Sequence, residues 1–297
     1  TLYTSATVPL SVKNQNGNFL INFSHIRGGP LGTRLDNADN IRIESSNITG
    51  ATGTGITING SDNNVFVSNN FSAVAASSSP IANMLNSTNN TFNRTRIESY
   101  SGPTPATLLM LDAYSDNNTF IGVSLTNWAS TSFSPLTVNS STNNTFIDST
   151  VNSTSSANTN AITFSADGSV NETVIFKNVT TNATGIGNYQ YAERVDTYWS
   201  LIVNVTNATG ATGAAVNGAQ ANATNSTNTL FFSLNTGTNG LAIGGYARQL
   251  YENKTGKFYS DNNYSVNATK NGMHASTTFN VTGNTMVNLT LSDFCGP

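Results

Sequence analysis

The chain has 297 residues, only 9% of them charged, with twelve Lys+Arg against fifteen Asp+Glu and a formal net charge of −3. Twelve cations spread over that length cannot supply the basic stripe that neutralises nucleic-acid phosphates. Low net charge with 9% aromatics does not fit a polyelectrolyte-like disordered chain.

No run approaches the ~18 apolar residues of a membrane span, so no transmembrane segment is expected. Asn, Thr and Ser make up roughly 40% of the chain, far above ordinary usage. Helix formers are scarce while Thr, Val, Ile, Phe and Tyr are plentiful, which predicts an all-β protein. Thr1 is not a Met and no basic-plus-apolar segment opens the chain, so a mature chain with its signal removed is expected.

In chain order, Val8 to Ile26 reads as strands around the turn Asn14-Gln15-Asn16-Gly17. Leu20, Ile21 and Phe23 are expected to cover the first rung of a repeat that begins near residue 36, as an N-terminal β cap over residues 1–35. A phrase then recurs: Asp62-Asn63-Asn64-Val65-Phe66, Thr88-Asn89-Asn90-Thr91-Phe92, Asp116-Asn117-Asn118-Thr119-Phe120 and Thr142-Asn143-Asn144-Thr145-Phe146, with a decayed copy at Asn171-Glu172-Thr173-Val174. The large apolar position therefore runs 66, 92, 120, 146, 174, a period of about 27 residues.

Two further ladders keep step. One holds Phe71, Ile97, Leu125, Val151 and Val179, extended back to Ile43 and forward to Val205. The other holds Ile58, Leu85, Leu111, Val138 and Phe164. Three ladders on one period, with alternation as in Ile56-Thr57-Ile58 and Leu136-Thr137-Val138, predict a parallel β-helix over residues 36–230. Seven rungs are expected to about residue 220, with a weaker eighth near Leu230.

The Asn-Asn pair suits a corner, because Asn tolerates left-handed backbone and its amide can stack as a hydrogen-bonded ladder. Past about Phe231 the period is lost, and strand-like runs separated by turns such as Asn271-Gly272 and Gly283-Asn284 predict a small antiparallel β-sandwich over residues 231–297.

About 23 Asn-x-Ser/Thr sequons point to an exported, glycosylated chain. Asn22, Asn47, Asn70, Asn178, Asn182, Asn204, Asn207, Asn222, Asn253 and Asn288 are the candidate glycan sites. The sequon asparagines of the Asn-Asn-Thr phrases, such as Asn89, Asn117 and Asn143, have two readings, a buried corner ladder or a glycan site, and both cannot hold for the same inward-facing amide. Cys295 is the single cysteine, so it has no intrachain partner, and an intermolecular disulfide is the candidate role.

The run Tyr264 to Met273 with Phe279 to Leu291 resembles the carboxypeptidase regulatory-like β-sandwich family, which implies a non-catalytic structural module over about 65 residues. The Asn-Asn-Thr-Phe rungs resemble the right-handed parallel β-helix repeats of NosD-like and pectate-lyase-like proteins. The combination with many sequons is similar to archaeal cell-surface proteins, including S-layer and sheath subunits of methanogens. Right-handedness is implied by the resemblance only.

For chemistry the pattern is poor. A glycosidase needs paired carboxylates, and a lyase needs clustered Asp for calcium with a basic proton acceptor. Asp62, Asp116 and Asp148 fall on corners of different rungs and read as corner residues. Arg42-Ile43-Glu44 and Arg96-Ile97-Glu98, joined by Arg94, are expected on one face two rungs apart, as an ion-pair ladder or a sugar-binding patch.

Tyr100, Tyr114 and Trp128 are candidates for a carbohydrate-stacking face. No catalytic residue, cofactor or metal site is expected. The chain is expected to be an extracellular, glycosylated structural subunit that self-associates into a sheath, S-layer or filament. The alternatives are a carbohydrate-active β-helix enzyme and a sugar-binding adhesin.

Overall fold

The computed structural model of the chain describes residues 2–3, 10–27, 32–50, 53–73, 79–99, 107–127, 134–153, 160–165, 172–182, 185–187, 193–208, 213–259 and 263–292. Among them there is no helix, and the chain forms two compact units. The first spans Thr1–Val195 with Asn253–Gly256, and the second Asp196–Glu252 with Lys257–Pro297.

The first unit is a parallel solenoid. One turn consists of Ile56–Asn59, Val65–Val67 and Asn70–Ala73. The pattern repeats from Ala82–Leu85, from Leu109–Asp112, from Leu136–Val138 and from Asn160–Phe164, giving about five turns of three short strands each. Every strand pairs in parallel with its equivalent one turn away. Inward and outward residues alternate, so Ile56 and Ile58 are buried and Thr57 is half-buried.

Three interior columns result. The first runs Val12, Leu35, Ile58, Met84, Leu111, Val138, Phe164. The second runs Ile21, Ile43, Phe66, Phe92, Phe120, Phe146, Phe176. The third runs Ile26, Ile48, Phe71, Ile97, Leu125, Val151.

Several sequence expectations shift here. Met84, not Leu85, is the inward residue of its strand. Phe176, not Val174, continues the phenylalanine column. Ile43 belongs to that column rather than to Phe71's. Val179 falls short of its expected column, in which Thr181 pairs with Val151. The cause is turn length: equivalent corner residues are separated by 23, 26, 28 and 30 residues on different turns, so a fixed period drifts. The expected extent also changes: Val205 and the strand Leu230–Asn235 belong to the second unit, so the stack does not run on to residue 220 or to Leu230.

The N-terminal strands Leu10–Asn22 and His25–Arg27 continue the same stack, pairing in parallel with Thr33–Glu44 and Asn47–Gly50. Ile21 packs on the core, but Leu20 is in register with the outward Arg42 and is 57% exposed. Phe23 is 80% exposed. These two side chains therefore do not cover the first rung.

In the second unit four strands form an antiparallel sheet in the order Leu230–Asn235, Gln220–Thr224, Tyr264–Lys270, Met273–Phe279. Asn271 and Gly272, both at positive φ, close the two-residue hairpin between the last two, as that turn chemistry dictates. Thr285–Leu291 pairs in parallel with Leu201–Asn207 and turns Leu289 and Leu291, with Val203 and Val205, into one buried cluster with Ala221, Ala223, Val266 and Ala268.

Candidate functional site

Two corners of the solenoid shape its outer surface. At the first, the two asparagines of each repeated pair part company. Asn64, Asn90, Asn118 and Asn144 are fully buried, while Asn63, Asn89, Asn117 and Asn143 are exposed at φ of 55–57°. The buried amides form a ladder in which the backbone N–H of Asn64 donates to Asn90 Oδ1 at 2.9 Å, and Asn90 likewise to Asn118.

Asn90, Asn118 and Asn144 also donate through Nδ2 to a serine carbonyl of an earlier turn, as Asn90 does to Ser61 at 3.0 Å. Ser61, Ser87, Ser115 and Ser141 make a parallel ladder of backbone N–H to hydroxyl bonds. The sequon residues Asn89, Asn117 and Asn143 are thus the exposed members of their pairs. Of the two readings, burial in the ladder therefore fails for them: the left-handed corner residue points out so that its successor can point in.

The second corner is a column of positive φ at Phe23, Ser45, Ser68, Arg94, Gly122, Asp148 and Asn178. Each backbone N–H from Phe23 to Asp148 donates to a carbonyl one turn on, as Arg94 does to Ile121 at 2.8 Å. Asn178 is half-buried and donates to Asp148 Oδ1 at 2.6 Å.

Among the remaining candidate glycan sites, Asn22, Asn182 and Asn288 are exposed, and Asn47, Asn70, Asn204, Asn207, Asn222 and Asn253 are half-buried. Asn47 and Asn70 stand in register on adjacent turns. Asn204 Nδ2 donates to Asn288 Oδ1 at 2.9 Å, and Asn253 Oδ1 accepts the N–H and hydroxyl of Thr255 at 2.9 and 2.7 Å. Asn171, Tyr100, Trp128 and Cys295 lie outside the described residues.

The charged clusters also rearrange. Arg42 pairs with Glu44 and stands in register with Val65, whereas Arg96 stands in register with Asn70 on a different strand of the turn. The expected single Arg/Glu face does not form, because Ile43 and Ile97 occupy different columns. Instead His25, Arg94 and Arg96 line a cleft of about 260 Å³ beside Asn47 and Asn70, which sequence spacing did not reveal.

Asp62 and Asp116 accept the backbone N–H of Thr88 and Thr142, each at 2.6 Å, and so fasten one turn to the next. Asp148 lies at the other corner. Tyr114 is exposed at φ 63°. Among the described residues no three His, Cys, Asp or Glu side chains converge as metal ligands, and no helix is long and apolar enough to cross a membrane.

No protein-family model matches the chain, and no curated protein matches its sequence.

Proposed function

We propose that this protein is a structural subunit of an extracellular, glycosylated cell-envelope assembly of the sheath or S-layer kind, built by self-association. The observation that carries the reading is the edge of the strand Leu10–Asn22. Its strand partner among the described residues is Thr33–Glu44, on one side; Phe19 (47%) and Leu20 on the strand, and Phe23 just past its end, are exposed. Unpaired backbone groups next to apolar side chains template the addition of another strand. A chain that repeats this geometry along its length offers a second copy the pairing it uses internally, and a heterologous contact of that type propagates into a filament or sheet.

Exposed sequon asparagines at regular corners, Asn89, Asn117 and Asn143, suit a coat of glycans on the outer face, and Cys295 would lock neighbours through a disulfide. Sedimentation velocity of the wild type and of the double variant Leu20→Lys, Phe23→Lys tests the edge. Large species that disappear in the variant, at an unchanged melting temperature, support the proposal. A wild type that stays monomeric, or a variant that assembles equally well, overturns it.

A further inference from the structure

The second unit holds a cleft of about 260 Å³ lined by Tyr198, Asn225, Phe231, Tyr246, Arg248 and Tyr264. Four of its six walls are aromatic, in a chain whose aromatic content is 9%. Two of these rings are fixed. Phe231 meets Tyr264 edge-on with centroids 5.3 Å apart, and the Tyr264 hydroxyl donates to the Arg248 carbonyl at 2.7 Å.

The polar walls are fixed as well. Asn225 Oδ1 accepts the N–H and hydroxyl of Thr227 at 3.1 and 2.8 Å and the N–H of Thr229 at 2.8 Å, which commits its oxygen and leaves Nδ2 as that side chain's open donor. The Arg248 guanidinium stands 3.6 Å from the Asp196 carboxylate and 5.7 Å from the centre of the Tyr251 ring.

We infer that this cleft binds a single neutral pyranose ring of a glycan. A pyranose has an apolar C–H face and a rim of hydroxyls. Aromatic side chains offer flat apolar surface with a polar tip on each tyrosine, and so match both parts at once. The hydroxyl rim needs donors and acceptors together, which Asn225 Nδ2 and the Arg248–Asp196 pair supply. Asp196 offsets the positive charge of Arg248, so the cleft selects a neutral ring over an anionic one. Its volume lies below the ~300 Å³ at which drug-sized pockets begin, which fits one ring rather than a buried chain.

Binding of the ring does not depend on self-assembly, since a monomer would hold it equally well. The ring can belong to a foreign polysaccharide or to an N-glycan of this protein, and Asn225-Ser226-Thr227 is itself a sequon beside the cleft.

The test uses the full chain in two forms, unglycosylated from a bacterial host and glycosylated. Each is titrated by calorimetry with glucose, galactose, mannose, N-acetylglucosamine and, as a charged comparator, glucuronate. At least one neutral sugar should saturate the unglycosylated protein with a Kd of ~1–10 mM. Tyr198→Ala and Tyr246→Ala should each weaken it about tenfold, Tyr198→Phe should retain it, and glucuronate should bind more weakly.

Protection of Tyr198 and Tyr246 from nitration by the same sugar gives a readout that needs no variant. Binding seen only in the unglycosylated form assigns the cleft to the protein's own glycan, and binding in both forms assigns it to an external one. No saturation by any of the four neutral sugars, equal binding with and without the two tyrosine rings, or equal nitration with and without sugar, overturns the inference.

Discussion

The backbone N–H of Asn90 donates to Oδ1 of Asn118 at 2.9 Å, across one full turn of the solenoid. Asn118 repeats the arrangement with Asn144 at 3.0 Å, and all three amides are fully buried. A corner must turn the chain without stranding its polar groups, and each amide meets that need for the preceding turn while its own N–H is met by the next.

Removing one amide should therefore expose two defects. Asn118→Ala leaves the Asn90 N–H and the Ser87 carbonyl, now bonded at 2.9 and 3.0 Å, without those partners in a buried corner. A loss of about 2–4 kcal/mol by urea denaturation is expected. Asn117→Gln, one residue away and exposed, should cost less than about 1 kcal/mol and remove only a sequon. Equal losses for the two would contradict the division of labour within the pair.

Phe120 stacks between Phe92 and Phe146, with centroids 4.9 and 4.4 Å away and interplanar angles of 17° and 10°. The stack ends in edge-on contacts, Phe66 with Phe71 at 82° and Phe146 with Phe176 at 84°. Phe120→Ala removes a fully buried ring from the middle of the column and should cost about 3–5 kcal/mol. Phe120→Leu should cost distinctly less, because it refills most of the space. Chemical denaturation compares the two directly.

The left-handed corner column predicts opposite signs at neighbouring turns. Gly122 has φ 59° and a Cβ placed there would find its nearest side-chain atom, Arg94 Cγ, at 3.7 Å, so backbone strain rather than crowding governs substitution. Gly122→Val should destabilise by about 1–2 kcal/mol. Arg94 has φ 51° and is exposed, and Asn occupies the same column at Asn178. Arg94→Asn should hold or raise stability by up to about 1 kcal/mol. A clear fall in the thermal midpoint for Arg94→Asn would show that its side chain has a structural role.

Much of this fold is legible in the sequence. The phrase ending in Phe66, Phe92, Phe120 and Phe146 identifies a column that stacks ring on ring, and Asn271-Gly272 marks a hairpin that forms. What escapes is register wherever a turn changes length. The longer turn between Asn144 and Val174 places Val174 in register with an asparagine and hands the phenylalanine column to Phe176. A one-residue ambiguity between Met84 and Leu85 is invisible because both are apolar, and only the pairing of Met84 with Ile58 and Leu111 decides it.

The same drift breaks the expected Arg42/Arg96 face and creates a cleft of His25, Arg94 and Arg96. The aromatic cleft of the second unit escapes for another reason. Tyr198, Phe231, Tyr246 and Tyr264 come from four separate strands, and no spacing links them.

Self-association is tested most directly by negative-stain electron microscopy of the native material with and without reductant. Assembly through strand edges predicts ordered tubes, sheets or filaments, and a bridging role for Cys295 predicts that they loosen under reductant. Dispersed monomers under both conditions would contradict the structural reading and leave the protein as a freely diffusing glycan-binding or carbohydrate-active molecule.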